Sequence, residues 1–138
     1  MIRVLIVDDH KTVRLGLQTY FHEEATGYHI GEAATGQEAL EKCRTEMWDV
    51  ILLDLSLPDV GGRQVLQQLH DERPALPVIM LSFFLEHSHV RQCLGAGAAG
   101  YLAKEEIPEH VLPAIEAVLA GRTYLSPGAQ TVLLESDR

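Results

Sequence analysis

Basic charge is scarce in this chain of 138 residues: 11 lysines and arginines stand against 20 acidic residues, a net charge of −9. So acidic a surface repels phosphate backbones, which predicts that this segment does not bind DNA by itself. Cysteine is scarcer. Cys43 and Cys93 are the only two, far apart and each on a helical pattern, so free buried thiols are expected rather than a bridge or a metal site. Long hydrophobic runs are missing as well. The longest, such as Val4 to Val7, fall far short of the ~20 residues that cross a bilayer. Met1-Ile2-Arg3 leads straight into a strand-like run without the apolar stretch and cleavage site that export requires, which predicts a cytoplasmic protein.

What is present is a hydrophobic share of 46%, enough for one domain with a proper core. Arg3 to Val7 reads as a buried strand ending in the pair Asp8 and Asp9. Val13, Leu17, Tyr20 and Phe21 then recur at helical spacing. His29 to Ala34 is a weaker strand, and Thr35 is placed to cap a helix with Gly36, Leu40, Cys43 and Met47 on one face. Val50 to Leu53 is a continuous apolar run, the mark of a strand buried on both faces, and it delivers Asp54. A loop with Pro58, Gly61 and Gly62 leads to a helix over Gln64 to Glu72. Val78 to Leu81 is the next apolar strand, ending at Ser82, and a helix with Val90 and Leu94 inward follows. Tyr101-Leu102-Ala103 is a short fifth strand ending at Lys104. Pro108 opens the last helix, Gly121 caps it, and Pro113 predicts bending or irregularity in its first two turns. Alternating strands and helices predict an α/β, doubly wound five-stranded parallel sheet with five helices.

Two motifs mislead. Gly95, Gly97 and Gly100 spell GxGxxG, but the string follows a helix and precedes a strand, the reverse of a dinucleotide-binding turn. Close packing of small residues against the sheet explains it. His87 and His89 lie in a polar helix start without a partnering cluster, so a solvated face is expected. The other histidines receive no role.

The strand ends form one regularity. Asp8 and Asp9, Asp54, Ser82 and Lys104 all follow strands of a parallel sheet and so open on one edge, where α/β sheets place their ligands. An isolated Asp there can simply end a strand and start a turn. Three carboxylates together repel unless a cation sits among them. Hard oxygen ligands with open positions suit Mg²⁺. An ammonium and a hydroxyl aimed at one carboxylate beside a divalent ion fit phosphoryl transfer to that carboxylate, with Asp54 as nucleophile.

The segments Val7-Asp8-Asp9, Leu53-Asp54-Leu55 with Pro58 and Gly61, Leu81-Ser82, and Gly100 to Lys104 together resemble a response-regulator receiver domain of two-component signalling. The resemblance implies the flavodoxin-like receiver fold with strand order 2-1-3-4-5. It implies that Asp54 takes phosphoryl from a sensor histidine kinase, and that Asp9, Asp54 and the backbone carbonyl of Ser56 ligate Mg²⁺ while Asp8 holds a metal water. It further implies that Lys104 pairs with the phosphorylated carboxylate, that Ser82 binds a phosphoryl oxygen, and that Tyr101 moves from outside to inside as a switch. Such a domain catalyses only its own phosphorylation and dephosphorylation.

Ala99 to Leu102, Val118 to Arg122 and Tyr124 to Pro127 are similar to receivers of LuxR-type (NarL/FixJ class) transcription regulators. That implies a receiver over residues 1–121, a linker start over 122–138 toward a helix-turn-helix domain absent from this chain, and a homodimer on phosphorylation. DNA would be bound only through the absent domain, and no membrane is implied. Phe83 and Phe84 depart from the small residue often found after the serine, and Phe83 is expected to crowd the pocket and slow attack by water. A stand-alone receiver, a pseudo-receiver, a flavodoxin-like cofactor binder and an aspartyl-phosphate hydrolase stay open on the residues alone.

Overall fold

The apolar runs become the middle of a sheet that is buried on both faces. The computed structural model describes residues 1–83 and 87–135, so Phe84 and the side chain of His87 lie outside the described residues. Strands β1 (Ile2–Val7), β2 (Tyr28–Ala33), β3 (Val50–Asp54), β4 (Val78–Ser82), β5 (Gly100–Ala103) and β6 (Tyr124–Leu125) pair in parallel in the order β2-β1-β3-β4-β5-β6. Between them run helices α1 (Lys11–Glu24), α2 (Gly36–Thr45), α3 (Gly62–Glu72), α4 (His87–Gly95) and α5 (Ile107–Leu119), with α6 (Pro127–Glu135) last. One core layer joins Leu40, Leu66, Val90, Cys93 and Ala129 on one side of the sheet. The other joins Leu17, Phe21, Val111 and Ile115. Helices thus cover both faces, as a parallel sheet requires.

The doubly wound order extends by one strand beyond the expected five, and by one helix. Two-residue β6 is too short to show any alternation. It is held by backbone bonds, Tyr124 N–H to Ala99 O at 3.1 Å and Ser126 N–H to Tyr101 O at 3.0 Å. β5 is therefore an inner strand, and its Tyr101 is fully buried. Among the described residues no helix is long and apolar enough to cross a membrane.

Local chemistry explains most boundaries. Thr35 Oγ1 accepts the backbone N–H of Glu38 at 3.1 Å, the expected cap of α2. Met47 does not share that helix's buried face, because α2 ends at Thr45 and the Met47 side chain is 70% exposed. α5 continues through Pro113 without interruption, and the irregular turn lies ahead of the helix, as a 3-10 turn over Lys104–Glu106. Gly121 ends the segment with φ of +82°, as a glycine cap does. Of the GxGxxG string only Gly100 lies close against the sheet, where a Cβ would meet the Tyr124 carbonyl at 2.9 Å; Gly97 packs instead on the His70 ring of α3, where a Cβ would come within 2.5 Å, and Gly95 faces open space. Both cysteines are buried free thiols, each pushed up to about 11 by burial.

One glycine positions the site directly. A Cβ at Gly62 would lie 2.4 Å from the Asp54 carbonyl oxygen and 2.7 Å from Leu55 Cα, both backbone atoms that cannot swing away. Gly62 N–H also donates to Leu55 O at 2.9 Å, which ties the start of α3 to the residue after Asp54. Gly62→Ala is expected to cost roughly 2–4 kcal/mol, read as a lower urea midpoint with an unchanged slope.

Candidate functional site

Register brings the polar strand ends to one place. Val7 lies opposite Leu53, Asp54 opposite Leu81 and Ser82 opposite Ala103, so the residues that follow or end β1, β3, β4 and β5 converge at one sheet edge. Asp8, Asp54, Ser82 and Lys104 are all buried there. Asp9 stays exposed.

Lys104 organises the pocket. Its Nζ donates to Asp8 Oδ2 at 2.7 Å and lies 3.3 Å from Asp54 Oδ1. Asp54 Oδ1 also accepts the Ser56 backbone N–H at 3.2 Å, while Asp54 Oδ2 is buried with no hydrogen-bond partner among the described residues. Asp8 Oδ1 accepts the His10 backbone N–H at 2.9 Å, and Arg14 Nη1 donates to the Asp8 carbonyl at 2.7 Å. The loop after β3 is fixed separately. Asp59 accepts N–H bonds from Gly36 and Gln37 at 2.9 and 3.1 Å, which hold its carboxyl below the usual range.

Electrostatics follow from this count. Burial pushes the Asp54 carboxyl up, the Asp8 charge pushes it further, and Lys104 with the Ser56 N–H offsets only part of the rise. Two buried carboxylates share one ammonium, so the pocket retains negative charge and an unsatisfied oxygen.

That arrangement fits a cation. Ligand atoms of Asp8, Asp9, His10 and Asp54 all lie within 4.8 Å of one another, and the bare Asp54 Oδ2 supplies an oxygen that protein donors leave unused. Carboxylate oxygens suit a hard divalent ion. His10 is the member that the residue pattern alone did not single out. Its Nδ1 is 3.0 Å from Asp8 Oδ1 and 3.3 Å from Asp9 Oδ1, and its place directly after the acidic pair was the available signal.

Phe83 follows Ser82 with its side chain 55% exposed, and its ring centroid is 5.0 Å from Lys104 Nζ, a cation–π contact at the pocket mouth. Tyr101 is already in the interior position, packed in the cluster with Leu125, Ala129, Val132 and Leu133. His89 lies apart, in a groove between α3 and α4 with Arg63 and Gln92.

The raised Asp54 value has a stability consequence. A group that binds its proton more tightly when folded stabilises the fold below its ordinary pKa, and loses that contribution as pH rises through the folded value. In metal-free protein, Asp54→Asn is therefore expected to stabilise by on the order of 1 kcal/mol at pH 7. The gain shrinks as pH falls through the interval above the ordinary Asp value, and thermal melts across pH 4–7 read both effects.

Comparison with known proteins places this geometry. The model of the response regulator receiver domain matches residues 4–116. The transcriptional activator protein ExaE of Pseudomonas putida is 38% identical over 130 residues, covering 94% of this chain and 61% of that protein. The response regulator UvrY of Escherichia coli (strain K12) is 36% identical over 126 residues, covering 91% and 58%. A crystal structure of a LuxR-family two-component response regulator from Aurantimonas sp. SI85-9A1 superposes with a TM-score of 0.91 at 32% identity, covering 98% of this chain and 96% of that one. The chain spans about three-fifths of the length of these two curated relatives.

Proposed function

The chain belongs to the response regulator receiver domain family, close to LuxR-type regulators, and from that premise we propose that Asp54 is its phosphoacceptor. The observation that carries the reading is a carboxylate 2% exposed at a strand end, with Lys104 Nζ 3.3 Å from one oxygen and the other oxygen without a partner. With Lys104 beside one oxygen and the other unpartnered, the carboxylate can present one oxygen to a cation and the other to phosphorus. In the reaction Asp54 attacks the phosphorus of a sensor kinase's phosphohistidine. The O–P bond forms as the P–N bond breaks, and the electron pair leaves with the imidazole nitrogen.

Each neighbour has a role in this proposal. Lys104, held at 2.7 Å by Asp8, neutralises charge that spreads over the phosphoryl oxygens. Ser82, at the end of β4, donates its hydroxyl to one of those oxygens. Asp9, Asp54 and the Ser56 carbonyl would hold Mg²⁺, and Asp8 would hold one of its waters. Bound there, Mg²⁺ supplies charge neutralisation to the reacting oxygens and to the carboxylate cluster. The domain acts on no external substrate and turns over only its own Asp54.

The wider assignment rests on the relatives. Full-length proteins of this kind extend beyond the segment matched here, and one carries the name transcriptional activator. We assign the receiver the control of a C-terminal DNA-binding domain in a cytoplasmic, homodimerising regulator paired with a sensor histidine kinase. An acidic chain of net charge −9 leaves DNA contact to that other domain.

Intact mass after incubation with acetyl phosphate tests the acceptor. One added phosphoryl group that needs both Mg²⁺ and Asp54 is expected, and no gain in any condition would refute the assignment. The Phe83 ring predicts a second result. By covering Lys104 at the mouth it hinders the in-line approach of water, so the phosphorylated state of Phe83→Ala should decay several-fold faster; equal decay would remove that role.

A further inference from the structure

The last helix is fastened to the backbone that carries Lys104. Ser126 is fully buried, and its Oγ accepts the backbone N–H of Ala103 at 3.1 Å, one residue before Lys104. Two residues after Lys104, the Glu106 carboxylate accepts the N–H of Gly128 at 3.0 and 3.3 Å, in the first turn of α6. Ser126 N–H also donates to Tyr101 O at 3.0 Å. The start of α6 is thus bonded on both sides of one lysine.

Packing repeats the pattern. α6 lies on α4 and β5, with Ala129 fully buried and Val132 and Leu133 packed into the cluster that holds Tyr101, Val90 and Cys93. Glu106 gives the Gly128 N–H, one of the orphan donors at the helix start, an anionic partner. These bonds are short-range and directional. A backbone shift of a few tenths of an ångström at Ala103–Lys104 stretches the Ser126 contact, and buried unpaired donors are costly.

We propose that α6 is a latch over the Tyr101 face, and that its attachment is coupled through Ala103 and Glu106 to what Lys104 binds in the acidic pocket. With Lys104 bridging Asp8 and Asp54, the end of β5 is pinned and α6 is seated. A phosphoryl group on Asp54 adds nearly two charges and draws the ammonium to new oxygens, so the pinned segment shifts and α6 loosens. Its trigger rests on the phosphoacceptor reading; its mechanical part rests on Lys104 alone. Coupling of this kind is reciprocal, since whatever holds α6 down also disfavours the shifted Lys104.

Hydrogen exchange on the full chain tests the latch, comparing free protein, protein with Mg²⁺ and beryllofluoride, and Lys104→Met. Fluorine NMR of the bound beryllofluoride records uptake at Asp54 separately. The amides of Gln130 to Leu134 are expected to exchange about tenfold faster in the second and third states, while β1 and β3 stay protected. Uptake with unchanged α6 exchange overturns the latch. Absence of uptake counts against the phosphoacceptor reading, and unchanged α6 exchange in Lys104→Met then overturns the latch by itself. If Lys104→Met exposes β1 and β3, Asp8→Asn, which weakens the shorter of the two Lys104 contacts, takes its place.

Discussion

A buried ammonium shared between two buried carboxylates is the constraint on which the rest depends. Lys104 reaches Asp8 at 2.7 Å and Asp54 at 3.3 Å from a turn that follows a different strand from either. Such a cluster is expensive to bury and adds little to stability over an apolar core. Its value is chemical. Charge does not cancel inside it, so it disfavours the ionised Asp54 and favours anything that brings positive charge to Asp54 Oδ2.

The parallel sheet makes the cluster possible. Strands β1, β3, β4 and β5 are apolar on both faces, so register is fixed by burial and their polar ends cannot slip inward without burying charge. Gly62 lets α3 start against the Asp54 backbone, and Asp59 ties the following loop to α2. On the far side of Lys104 the same sheet edge meets α6. Beyond Lys104, α6 is fastened to the end of β5 by the Ser126 and Glu106 bonds and by the packing of Ala129, Val132 and Leu133.

Much of this was legible in the residues, for identifiable reasons. Continuous apolar runs such as Val50 to Leu53 announce inner parallel strands, and a carboxylate, hydroxyl or lysine directly after each run announces a common edge. Thr35 and Gly121 carry their capping role in their chemistry. β6 was not legible, because two residues carry no periodicity and their strand exists only by pairing with β5. The interior position of Tyr101 and the seating of α6 depend on that missed strand. Met47 was misplaced because helical spacing continues past Thr45 although the helix does not. His10 has only its place directly after the acidic pair to set it apart from the other histidines, and the fold adds that its ring nitrogen reaches both members of that pair.

The proposed function turns on Asp54 as the residue that carries the phosphoryl group. An acyl phosphate is reduced by borohydride to an alcohol, which turns a phosphorylated aspartate into homoserine, so peptide mapping after treatment with a phosphodonor and borohydride locates the acceptor. Homoserine at position 54 alone is expected. Homoserine at Asp8 or Asp9, or at none of the three, would contradict it.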